Sequence, residues 1–108
     1  MSPSLPKPIA AYFSADIADS EAIAQCFAED AVAIDEGHTY TGRPAIRQWK
    51  AASATKFSYI SEPFALEEKD GTIIVSSRVS GNFPGSPVNL RYFFGLEGDK
   101  IASLEIKP

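Results

Sequence analysis

The chain has 108 residues, 44% hydrophobic and 22% charged, with 10 Lys and Arg against 14 Asp and Glu. That is one domain of ordinary globular composition, long enough to bury about 65% of its unfolded surface without staples. A formal net charge of −4 with scattered basic residues excludes the gathered cationic face of a nucleic-acid binder and argues against an anionic membrane surface.

Cys26 is the only cysteine, so no internal disulfide forms, which fits a reducing compartment. The opening stretch MSPSLPKPIAAYF holds no apolar run long enough for a secretory signal or a membrane span. Cytoplasm is the default expectation. Residues 1–7, in a segment punctuated by Pro3, Pro6 and Pro8, predict a poorly ordered arm ahead of one domain over 1–108.

From Pro8, the recurrence of Ile9, Tyr12, Phe13 and Ile17 predicts a helix ending near Ala18. Asp19 then suits an N-cap, with Glu21 near the positive end of a second helix that buries Ile23, Cys26 and Phe27. AVAIDEG alternates as a strand, with Val32 and Ile34 on one side and Ala33 and Asp35 on the other, and Gly37 breaks it. A polar turn follows. Thr41-Gly42-Arg43-Pro44 reads as a turn and helix start, and Ile46, Trp49 and Ala52 or Ser53 make an inward stripe ending near Thr55.

The pattern then changes to strands. Phe57–Leu66 contains Pro63, which predicts an edge position or a bulge, and Lys69-Asp70-Gly71 is a hairpin turn. Thr72–Val79 is the most β-rich run, and Phe83-Pro84-Gly85-Ser86-Pro87 a second reversal. Val88–Leu96 and Ile101–Ile106 close the sheet around a turn at Glu97–Lys100. Helices followed by antiparallel strands make an α+β fold. In VNLRYFF, Leu90, Tyr92 and Phe94 face one way and Phe93 the other. Helices cover only one face, so a partner subunit on the second face, in a two-fold homodimer, is expected.

The strings EAIAQCFAEDAVAIDEG, G-R-x-A-I-R-x-W and L-x-G-D-K-I-x-S-L-x-I resemble the SnoaL-like, polyketide cyclase-like family of the nuclear transport factor 2-like superfamily. The resemblance runs from about Ile9 to Ile106. It implies a cone in which three N-terminal helices pack on a strongly curved, mostly antiparallel sheet around a deep apolar cavity, in a homodimer. The superfamily includes ketosteroid isomerases, polyketide cyclases and epoxide hydrolases. Asp35 falls where the isomerases place their catalytic carboxylate, and Tyr12 lies close to the position of their oxyanion-binding tyrosine. Their second acid has no counterpart in Asn89-Leu90-Arg91, and the Asp–Arg–Asp set of the epoxide hydrolases is not evident either. The resemblance therefore implies a fold and a pocket rather than either of those activities.

Within such a pocket Asp35 is the leading catalytic residue, because a desolvated carboxylate moves toward a pKa suited to proton transfer. The plain alternative is a strand-end acid bonded to the neighbouring turn. His38, the only histidine, could pair with Asp35 as a proton shuttle, or be a solvated turn residue. Tyr12, Tyr59 and Tyr92 offer phenol donors to a ligand carbonyl, or serve the core. Phe13, Phe27 and Trp49 would form walls. Arg78 and Arg91 would favour an anionic or carbonyl-bearing ligand if inward, and belong to the dimer face if outward. Cys26 reads as an inert small hydrophobe, and one histidine with Asp35 and Glu36 makes no spaced metal-ligand set.

The function expected is binding of a small hydrophobic carbonyl or hydroxyl compound, with cofactor-free proton transfer of isomerase, cyclase or dehydratase type. The rival is a non-catalytic ligand-binding or dimerisation module. A cavity well below the ligand-site range would favour that rival.

Overall fold

The computed structural model describes residues 4–108. Residues 1–3 of the expected arm lie outside the described residues. Leu5, within the expected arm, packs against the core. Helix α1 (Lys7–Ser14) carries Pro8 in its first turn, where a missing N–H matters least. It ends four residues earlier than the periodicity predicts. The Asp16 carboxylate accepts from the Ala18 N–H at 2.8 Å, and this local turn outcompetes another helical turn. Asp19 caps α2 (Ser20–Gln25) by accepting from the Ala22 N–H at 3.0 Å, as expected.

Phe27 does not continue α2 but opens β1 (Phe27–Asp35). The Cys26 carbonyl accepts from the Ile101 N–H at 2.9 Å and the Phe27 carbonyl from Arg43 Nε at 2.8 Å, so the sheet captures this backbone. Glu36 and Gly37, both at positive φ (52° and 79°), turn the chain into β2 (His38–Thr41). The expected polar turn over 38–41 is thus a short strand paired with β1. Gly42 then starts α3 (Arg43–Lys56). Two helices precede the sheet and the third follows its first hairpin, which corrects the expectation of three N-terminal helices.

The remaining strands are β3 (Tyr59–Lys69), β4 (Thr72–Gly81), β5 (Val88–Glu97) and β6 (Lys100–Lys107). The six-stranded order is β2-β1-β6-β5-β4-β3, with β1 and β6 parallel and all other pairs antiparallel. β3 is an edge strand and shifts register between Pro63 and Ala65, as Pro63 predicts. The helices cover one face, where Phe94, Leu104, Val75 and Ala33 pack against Ile9, Ile23, Ile46 and Trp49. The opposite face carries Val32, Ile34, Ile74 and Phe93, so the parity read at 32–35 and 90–94 holds.

Where β4 ends, the chain needs glycine. A Cβ on Gly81 would run into the Ser58 carbonyl and lie 2.7 Å from the Tyr59 Cα. The Asn82 N–H donates to Ser58 O, and Asn82 Oδ1 accepts from the Ser58 N–H, which holds the start of β3 in place. Gly81→Ala should therefore lower stability by about 1–3 kcal/mol through overpacking, read from the urea midpoint.

Candidate active site

Strand register places the site. Asp35, the last residue of β1, pairs with Ile106 on β6, and Ile106 pairs with Tyr92 on β5, so all three project from the helix-covered face. His38 sits directly opposite Asp35 in the β1–β2 hairpin. Above this row α3 presents Ile46, Trp49, Lys50 and Ser53 at helical spacing. Between sheet and helix opens a cavity of about 790 Å³, lined by Asp35, His38, Trp49, Lys50, Tyr59 and Tyr92 among others, with Phe57 and Phe83 packed edge to face on its wall.

The least expected of these is Lys50. It is 7% exposed, and its ammonium donates to Tyr12 Oη at 3.2 Å and Tyr59 Oη at 3.4 Å. It lies 4.6 Å from the Trp49 ring centroid, 5.3 Å from that of Tyr12 and 6.0 Å from that of Tyr59. Among the described residues it forms no ion pair. Its sequence signal was the position four residues after Ile46, on the same stripe as Trp49 and Ser53. A lysine there is ordinarily read as a stem reaching out to water.

Asp35 is half-buried, and loss of hydration, with Glu36 beside it, raises its pKa above the ordinary carboxylate value. The Trp49 indole, the Lys50 charge and the Glu36 backbone oppose that rise. Burial holds the Tyr12 and Tyr92 phenols well above their usual range, so both remain neutral donors. Ser61 Oγ bridges Ser77 Oγ at 2.6 Å and Tyr92 Oη at 3.5 Å, which ties the Tyr92 hydroxyl to the buried Ser77. No side-chain hydrogen bond joins Asp35 to His38 among the described residues, although both line the cavity. His38 stands exposed beside Tyr40, which stacks on Trp49 at 5.3 Å.

Five of the nine residues singled out from sequence line the cavity: Asp35, His38, Trp49, Tyr59 and Tyr92. Tyr12 reaches it through Lys50, with its own ring in the aromatic core. Phe13 and Phe27 support that ring edge-on from behind instead of forming walls. Arg91 points the other way. It shares the outer face with Lys107, and both cations flank the Phe93 ring at 5.3 and 5.5 Å, so Arg91 is not a pocket residue. Arg78, two residues from Ser76 on the same strand face, lies on that side as well. Among the described residues no three of His, Cys, Asp or Glu converge as metal ligands.

A raised carboxylate pKa has a stability consequence with a definite sign. Between its unfolded and folded pKa values, folded Asp35 holds more protons than the unfolded chain, so its contribution falls as pH rises through that window. Asp35→Asn should raise the melting temperature at pH 7, and the gain should shrink as pH falls toward about 4, the ordinary Asp value, and be absent below it.

Comparison with known proteins places the chain in a lineage. No protein-family profile matches it, and no curated protein does. Among solved structures, SMa1630 of Sinorhizobium meliloti, a candidate polyketide cyclase, is 41% identical, with 95% of each chain covered and a TM-score of 0.88. A Catenulispora acidiphila protein with a ketosteroid isomerase-like fold, solved with trimethylamine, is 20% identical over 97% of this chain and 87% of that one, at a TM-score of 0.85. The epoxide hydrolase/cyclase-like enzyme SalBIII, which acts in pyran ring formation in salinomycin, is 22% identical over 93% and 86%, at 0.78. With the identity to SMa1630 extending over nearly the whole of both chains, this protein belongs to the SnoaL-like, polyketide cyclase-like family of the nuclear transport factor 2-like superfamily.

Proposed function

We propose that the protein is a cofactor-independent proton-transfer catalyst of isomerase, cyclase or dehydratase type, acting on a small hydrophobic compound that bears a carbonyl or hydroxyl group. The observation that supports it most is the pairing, in one cavity, of a partly desolvated carboxylate and phenols on the sheet side with a buried ammonium on the helix side. A volume of about 790 Å³ also falls within the roughly 300–1,000 Å³ of ligand sites, above what a filled structural core would leave.

In this reading Asp35 takes a proton from a carbon next to the carbonyl. The negative charge that develops moves to the carbonyl oxygen. Lys50 and the Tyr59 and Tyr92 hydroxyls are the donors available to it, and their orientation is set before substrate arrives. Tyr12 acts at one remove by holding Lys50. Return of the proton to another carbon gives isomerisation. Attack of the enolate on a second carbonyl gives ring closure, and expulsion of a β-hydroxyl gives dehydration. His38, exposed on the rim, is placed to exchange protons with solvent. The reading includes a homodimer through the outer sheet face, where Phe93 lies half-buried among Arg91, Lys107 and Glu105.

Proton abstraction leaves a mark that does not depend on knowing the natural product. Enolisable cyclic and aromatic ketones incubated in deuterium oxide should exchange their α-hydrogens faster with the protein, followed by NMR. Asp35→Asn should slow that exchange by about 10²–10⁴-fold while the fold is kept. Exchange at the wild-type rate in Asp35→Asn would remove the carboxylate from the mechanism.

A further inference from the structure

The aromatic setting of Lys50 is built like a receptor for a cation. Trp49 turns its ring surface toward the ammonium at 4.6 Å, the contact by which proteins hold quaternary ammonium ligands, while Tyr12 and Tyr59 meet it with their hydroxyl edges, their ring centroids 5.3 and 6.0 Å away. Here the chain supplies the cation itself, on α3, and seals it to 7% exposure. Two of the three ammonium donors are engaged by hydroxyls, and no carboxylate is paired with it among the described residues. The other charges on the cavity wall are Asp35 across from it, Glu36 and Lys56, with Glu36 and Lys56 in solvent where screening weakens them.

From this arrangement we infer that Lys50 is a specificity-determining residue: it closes the aromatic box to cationic ligands and makes the cavity select molecules carrying an anionic oxygen, such as a carboxylate, beside the group that reacts. The inference rests on the cavity being the ligand site and narrows the substrate class to carbonyl acids. A buried charge without a contacting countercharge gains more from a ligand anion than an exposed one does, because its own desolvation is already met in the fold and its low-dielectric surroundings screen the attraction less. The spare donor points the interaction. A cationic ligand, by contrast, finds the box filled and a like charge inside it.

Calorimetry with matched probes tests this. Wild type should bind 2-naphthoate about tenfold or more tightly than 2-naphthamide, its neutral isostere. Lys50→Met, close in shape but uncharged, should bring the two within about twofold while still binding the amide. Lys50→Ala should take up tetramethylammonium, which wild type should not bind. Equal or reversed naphthoate preference in wild type, no binding of either naphthyl compound, an unchanged preference in Lys50→Met, or tetramethylammonium binding to wild type would each overturn the inference. So would a folded Lys50→Ala protein indifferent to tetramethylammonium. Circular dichroism checks the folding of both variants, and if Lys50→Ala unfolds, the Met variant decides. Asp35→Asn should keep the naphthoate preference, so an inert Asp35 and an indifferent Lys50 are read apart.

Discussion

A positive charge set between aromatic rings is the constraint that fits the layers of this protein together. Lys50 belongs to α3, Tyr12 to α1 and Tyr59 to β3, three elements with few other reasons to meet at one point. Taking an ammonium out of water costs several kcal/mol even after relaxation. Two hydrogen bonds from a charged donor, at about 1.5–3 kcal/mol each, and the cation–π contacts, at about 0.5–2 kcal/mol, offset that cost only if all three rings stay in place. The arrangement is therefore demanding, not generously stabilising. It ties α1 and the start of β3 to α3 beside the cavity.

The same demand shapes Asp35. The carboxylate is anchored by strand register, one residue before a turn that needs positive φ at both its positions, so it cannot slide toward solvent without unpairing β1 from β6. Held there, it loses hydration, and only the Trp49 indole, the Lys50 charge and the Glu36 backbone partly restore its ionised form. Acid and ammonium are close enough to feel each other's field yet form no ion pair. A direct pair would neutralise both and remove the reason for either to act on a ligand. The gap between them leaves both groups open to the cavity, where a buried salt bridge would close them to each other.

Much of this was legible in the chain, and the illegible parts share a cause. Strand parity at Val32–Asp35 and Leu90–Phe94, the Asp70-Gly71 turn, the Asp19 cap and the edge position of Pro63 are local facts, written in alternation and turn chemistry. Asp35 on the inner face followed from parity alone. His38–Thr41 was read as a turn because four polar-rich residues show no alternation worth the name; only pairing with β1 makes them a strand. Phe27 has the spacing of the preceding helix and was claimed by Ile101 and Arg43 instead. Arg91, flanked by Leu90 and Tyr92, faces outward with Phe93 because the ladder from Val88 to Gly95 runs without a bulge, a regularity that the sequence does not display. Lys50 is the deepest case. Its burial depends on a phenol 38 residues earlier and another nine residues later, a coincidence no window of sequence reveals.

The two faces of the sheet divide the work. On the outer face charge lies over apolar surface: Arg91 and Lys107 flank Phe93, and the half-exposed Glu105–Lys107 pair at 3.8 Å adds little stability. On the inner face the order is reversed, with aromatic surface laid over charge. The cations on the outside are hydrated, so their charges are screened by water. The cation on the inside is fixed and dry, so a change in its surroundings is felt at nearly full strength. Lysine and arginine thus appear on both sides of one strand layer with opposite consequences. The difference follows from dielectric surroundings, which the alternation of β5 and the length of α3 determine before any ligand arrives.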